Sequence, residues 1–217
     1  EHSNEGFGAP YDLPNRTAYS EICAAISFPM WALRMFTLHG DARYIDVVER
    51  TLYNNLLAGV SLSGDRYFYA CPLESDGTYR FNLGWCPADA EGPYREASAT
   101  RKEWFPCACC PPNLARYLPQ IPGFVYATRG DDVYVNLFVA SRGRVRVAGG
   151  PVMFLQETDY PWDGRVRVRF ELEAPRRFTV RVRIPGWARN EPVPSDLYRF
   201  RDPCPPAPEP AVHHQRI

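Results

Sequence analysis

The chain holds 217 residues, 45% of them hydrophobic, with 25 basic and 25 acidic side chains and a formal net charge of zero. That length suits one large or two modest domains, and the apolar share is enough to bury a core. The even charge balance excludes a nucleic-acid binder working by bulk charge, and no apolar run in the sequence reaches membrane-spanning length.

Residues 1–16 carry Gly6, Gly8, Pro10 and Pro14 and read as a loop, with Glu5 inside it. A helix is predicted from Thr17 to about Leu38, capped by Asn15 or Thr17 and stopped by Gly40. Its apolar residues, Ile22, Ala25, Ile26, Phe28, Trp31, Leu33, Met35 and Phe36, surround the axis, which predicts burial on most sides, and Pro29 predicts a kink. Asp41 caps a second helix running to about Ala58, with Ile45, Val48, Leu52 and Leu56 as its stripe. Glu49 falls within that stripe, so its carboxylate needs a partner or a role. Residues 66–71 and 78–83 read as short strands or extended loops, and residues 84–104 as a long functional connection.

The chemistry concentrates in Cys107-Ala108-Cys109-Cys110-Pro111-Pro112-Asn113, where three of the seven cysteines fall within four positions. The prolines suit the first turn of a short helix, from about Pro111 to Leu118. Adjacent thiols ahead of two prolines are hard to explain as core filling. With the upstream Glu21-Ile22-Cys23 they offer one carboxylate and three thiolates, enough to close a tetrahedral zinc site. Glu21 and Cys23 lie two apart, which a regular helix turns to different sides. Either the turn there is irregular or the longer glutamate reaches round. Cys71, Cys86 and Cys204 read as buried, unreactive thiols. An odd, clustered cysteine set does not suggest a disulfide framework, and free thiols fit a reducing, cytoplasmic setting.

After Pro122 the pattern changes. Residues 123–128, 133–140, 144–148, 152–158, 165–172 and 178–184 alternate apolar with polar, joined by turn sequences such as Gly130-Asp131-Asp132 and Ala148-Gly149-Gly150. The pattern predicts an antiparallel β-sandwich, with the arginines of residues 165–169 facing water. The tail from Pro203 to Ile217 has no periodicity and is expected to be disordered.

Several motifs together resemble glycoside hydrolase family 127, the bacterial β-L-arabinofuranosidases. They are Tyr11-Asp12-Leu13-Pro14-Asn15, Thr17 to Cys23, Glu49 to Asn55, Cys109 to Asn113, Gln156 to Trp162 and Ile184 to Arg189. The resemblance covers residues 1 to about 200. It implies an α+β multidomain fragment: a partial α/α-barrel with few helices (residues 1–120), then an antiparallel β-sandwich (residues 121–200), then the tail (residues 201–217). It implies a zinc ion held by Glu21, Cys23, Cys109 and Cys110, with Cys109 the nucleophile and Glu5 the general acid/base. It places Glu49 and Tyr69 at sugar-binding positions and makes an arabinofuranoside the substrate; the charge balance and the lack of a long apolar run add the expectation of no nucleic-acid or membrane partner. The few helices read here suggest a truncated form with weak or no activity alone. Two other classes stay open: a non-catalytic zinc-stabilised module and a carbohydrate-binding module.

Overall fold

The computed structural model describes residue 6 and residues 8–85, 91–203 and 205. Glu5, Cys86, Cys204 and the end of the tail lie outside the described residues.

Helix α1 runs Ile22–His39 and α2 runs Arg43–Thr51, the latter prolonged by a π-helical turn over Leu52–Leu56. Gly40 ends α1 in the left-handed conformation at φ 72°, its N–H bonded to Phe36 O. The Asp41 carboxylate accepts from the Arg43 N–H at 3.0 Å, which starts α2 as the sequence suggested. The predicted α2 stripe is the observed one: Ile45, Val48, Leu52 and Leu56 are all buried.

Helix α1 departs from expectation in two ways. It starts at Ile22 rather than Thr17, and it buries one stripe rather than most of its circumference. Ile22, Ile26, Pro29, Ala32 and Phe36 are buried, while Phe28, Trp31 and Leu38 are exposed. The all-round apolar character therefore reflects a helix with two apolar faces, only one of which is covered among the described residues. At 18 residues and a mean hydropathy of 1.2, α1 meets the dimensions of a membrane-spanning helix, against the reading of the sequence. Its buried stripe belongs to the same core as Ile45 and Val48 of α2.

Between α2 and α3 (Cys110–Tyr117) the chain is irregular but well tied. Asn82 is fully buried and organises it. Its Oδ1 accepts from the Tyr69 N–H at 2.7 Å, and its Nδ2 donates to Tyr67 O at 3.1 Å and Thr100 O at 2.9 Å. One amide thereby ties three backbone groups from two separate stretches of chain. Isolated bridges pair Tyr67 with Lys102 and Asn82 with Ser98.

A short helix α4 (Pro122–Val125) leads into six strands: β1 Tyr126–Arg129, β2 Asp132–Val135, β3 Ser141–Val147, β4 Gly150–Thr158, β5 Val166–Glu171 and β6 Thr179–Val182. Each predicted β segment overlaps a strand, although residues 123–125 of the first are helical. They form two three-stranded sheets, ordered β1-β2-β6 and β3-β4-β5. The first corrects the expectation of purely antiparallel pairing, because β6 lies parallel to β2. Val133 and Val135 from one sheet share a core with Val145, Val147, Val152 and Phe154 from the other. Outward arginines behave as read, with Arg167 and Arg169 pairing with Glu157 at the surface.

The helical and β parts meet over β2 and β6. Phe36 of α1 makes an edge contact with Tyr134 at 5.6 Å, and Arg183, just past β6, reaches into α2. Arg183 is 4% exposed and donates to Asp46 Oδ1 and Asn136 O, each at 2.6 Å, and to both oxygens of Glu49.

Candidate metal centre

The site begins with an irregular turn. Ser20 takes a positive φ of 41°, and Glu21 follows in an extended conformation at φ −59°, ψ 136°. Glu21 pairs with Ala70 in an isolated antiparallel bridge, and the Ile22 N–H donates to Tyr69 O at 3.0 Å. Residue 21 is thus held in a strand-like contact while residue 23 is already helical. The difficulty of two ligands two apart on a helix disappears, because Glu21 is not on the helix.

The other half comes from the entry of α3. Cys109 occupies the N-cap position and its carbonyl accepts from the Asn113 N–H at 3.1 Å. Cys110 and Pro111 open the helix, the proline standing where a missing N–H has no intrahelical partner to lose. Successive residues at a helix entry diverge, so Cys110 points into the core at 1% exposure while Cys109 stays half-buried.

Glu21, Cys23, Cys109 and Cys110 converge, each offering a ligand atom within 4.8 Å of the others. The Cys23 and Cys110 sulfurs are 3.5 Å apart and those of Cys109 and Cys110 are 3.8 Å apart. Glu21 Oε1 lies 3.7 Å from Cys109 Sγ and 3.8 Å from Cys110 Sγ. Zinc–sulfur bonds of ~2.3 Å set the edge of a sulfur tetrahedron at ~3.8 Å. The donor set, its spacing and its burial therefore fit a four-coordinate metal of the zinc type. Cys107 and Cys71 are free thiols that do not join the cluster.

The electrostatics single out one thiol of the three. The adjoining Cys110 thiol pulls Cys23 down to about 6, against the burial that opposes ionisation. Burial pushes Cys109 up to about 12. The hydrogen bond with Cys23, together with burial, holds Cys110 far above the ordinary thiol range. Left to themselves the sulfurs favour one ionised member, since adjacent anions repel. A divalent cation at the centre reverses that order by holding thiolates.

Tyr69 borders the cluster. Its hydroxyl oxygen is 3.1 Å from Cys109 Sγ, the thiol donating, and Phe105 packs edge-on against its ring at 5.4 Å. Burial, then the bond to Cys109, keeps the Tyr69 hydroxyl well above the ordinary phenol range. It stays protonated and can donate in turn to a thiolate.

Glu49 does not join the cluster. Its oxygens are taken by Arg183, by the Tyr160 hydroxyl at 2.8 Å and by the Trp187 Nε1–H at 3.3 Å. The partner demanded by a carboxylate in an apolar stripe is thus Arg183. Sequence reasoning missed Arg183, because strand alternation groups it with the solvent-facing arginines. It also missed Asn82 and Gly84, which carry no local signal beyond a polar residue and a glycine in a loop.

Comparison with known proteins identifies the family. Residues 1–123 match the family model described as the β-L-arabinofuranosidase, GH127 catalytic domain, and residues 132–195 match the GH127 middle domain. The non-reducing end β-L-arabinofuranosidase of Bifidobacterium longum subsp. longum is 36% identical over 195 residues, covering 87% of this chain and 28% of that protein. A solved GH127 β-arabinofuranosidase superposes with a TM-score of 0.81 at 43% identity, over 95% of this chain and 30% of that one. The GH127 β-L-arabinofuranosidase of Geobacillus stearothermophilus T6 gives 0.72 at 41% identity, over 86% and 28%. The chain spans less than a third of the length of these relatives, and it belongs to glycoside hydrolase family 127.

Proposed function

We propose that this chain carries the zinc-binding and nucleophile-bearing part of a retaining glycoside hydrolase acting on β-L-arabinofuranosides. The observation that carries this reading is the convergence of Glu21, Cys23, Cys109 and Cys110 into one donor cluster. Zinc held there would keep the sulfurs as thiolates at neutral pH.

Cys109 is the member suited to attack: it is half-buried and faces Tyr69, whereas Cys110 is sealed in the core. In the first step its sulfur forms a bond to the anomeric carbon as the glycosidic C–O bond breaks, and the leaving oxygen takes a proton from the carboxylic acid of Glu5. In the second step Glu5, now a carboxylate, takes a proton from water. The water oxygen bonds the anomeric carbon and the carbon–sulfur bond breaks, so two inversions give retention. The role of Glu5 rests on its position in the sequence motif alone.

Tyr69 steadies the attacking sulfur through its hydroxyl, beside where the sugar would arrive. We assign Glu49 to the frame rather than to the sugar, because Arg183, Tyr160 and Trp187 occupy its oxygens. The 217-residue chain by itself is expected to turn over aryl β-L-arabinofuranosides weakly or not at all; robust turnover would overturn that part of the reading.

The decisive experiment measures zinc content and covalent labelling by an arabinofuranose-shaped electrophile. One zinc per chain with label on Cys109, lost in Cys109→Ser while the fold is kept, supports the proposal. Absence of zinc binding, or label on another residue, removes it. A Cys109→Ser protein that no longer folds would assign Cys109 a structural role.

A further inference from the structure

We propose that Gly84 is a positioning residue for Cys109, acting through the ring of Tyr69. Gly84 has a φ of +75°, and a Cβ built on it would lie 2.3 Å from Tyr69 Cγ, 2.4 Å from Cδ2 and 2.5 Å from Cδ1. Bare backbone therefore lies flat against the root of the ring, closer than any side chain allows. Two independent demands select glycine here: the left-handed backbone and the absence of a Cβ.

The rest of Tyr69 has little freedom. Its N–H is held by Asn82 Oδ1 and its carbonyl by the Ile22 N–H. The ring is flanked by Phe105 at 5.4 Å and Tyr19 at 6.3 Å. What remains is the tilt of the ring, and the Gly84 backbone sets it. The hydroxyl is at the far end of the ring from that contact, so a displacement forced at the root is carried to the atom that meets Cys109 Sγ at 3.1 Å. Gly84 is separated from the sulfur by a whole side chain and still fixes its hydrogen bond.

The inference deepens the reading of Cys109 as nucleophile, and its test does not depend on turnover. Alkylation by iodoacetamide is followed at each cysteine by peptide mass spectrometry, with and without added Zn²⁺, for the wild-type chain, Tyr69→Phe, Gly84→Ala and the double variant. With Zn²⁺ holding the sulfur as a thiolate, removing one hydrogen bond from it is expected to raise the Cys109 rate about 5-fold in Tyr69→Phe; without metal, where the hydroxyl favours the thiolate, the rate should fall by a similar factor. Gly84→Ala should shift the rate in the same direction by a similar factor in each state, the double variant should go no further, and Cys71 should keep its rate. A wild-type Cys109 rate in Gly84→Ala, or effects that multiply in the double variant, would overturn the proposal. Should Gly84→Ala fail to fold, the same substitution in a Tyr69→Ala background decides, measured against Tyr69→Ala alone. There Cγ and both Cδ atoms are gone and only backbone strain remains, so Gly84→Ala should lower the folded fraction far less than it does beside Tyr69; an equal loss in both backgrounds counts against the proposal. A wild-type chain that binds no zinc would refute the proposed function alone, since the alkylation comparison in zinc-free protein still reads the Gly84 contact.

Discussion

Cys109 and Cys110 are chain neighbours with different fates, and the helix entry separates them. Cys109, at the N-cap, stays half-buried, whereas Cys110, the first helical residue, faces the core. This gives one half-buried and one buried sulfur 3.8 Å apart. Each cluster member then has a distinct testable weight. Cys23→Ser and Glu21→Gln each remove a donor from the centre. Either should weaken zinc binding beyond the roughly 10–100-fold cost of losing an outer-sphere partner. Cys107→Ser should leave affinity unchanged, because that thiol stands outside the cluster. Competition with a chromogenic chelator measures all three.

At the level of elements, the donor cluster depends on where helices begin and end. Helix α1 starts one residue after Glu21, which lets a strand-like residue and a helical residue aim at the same point. Its other end depends on Gly40. A Cβ there would meet the Arg129 guanidinium at 3.6 Å, an ordinary contact, so the cost of Gly40→Ala is backbone strain alone. Urea unfolding should show a loss of about 1 kcal/mol with an unchanged m-value. The strands follow a simpler rule. Period-two alternation placed six of them, because one face of each sheet meets a shared apolar core. Which strands pair within a sheet, and in which direction, obeys no such local rule, and the parallel β2–β6 contact was accordingly unforeseen.

Across the whole molecule, Arg183 joins the β part to α2. It is buried with Asp46 and Glu49, and Gly186 N–H also donates to Asp46 Oδ2 at 3.1 Å. Burial raises Asp46 above its ordinary carboxylate value, outweighing the attraction of Arg183. A raised folded pKa favours the fold when the group is protonated, so that contribution is complete below the unfolded value near 4 and declines as pH rises through the folded one. Arg183→Met strands two buried carboxylates and should cost about 3–5 kcal/mol at neutral pH. The penalty should shrink as pH falls and Asp46 takes up a proton. Denaturant titrations of both proteins between neutral and acid pH check the sign, and a penalty that grows on acidification would contradict it.

Sequence alone determined what depends on near neighbours. The two helices with their Gly40 stop and Asp41 start, the proline-opened α3, the alternating strands and the four donor residues are all legible as local patterns. The family motifs added an order for them. Tertiary structure decided what depends on distance. Cys109 and Glu21 are separated by 88 positions, and no periodicity states that such residues meet. Nor does alternation show that Arg183 turns inward while Arg181, two residues earlier, stays at the surface with Asp132. The side chain's fate is set by what the other part of the chain presents to it, here two carboxylates of α2, and a strand pattern records only which face of the sheet it leaves from.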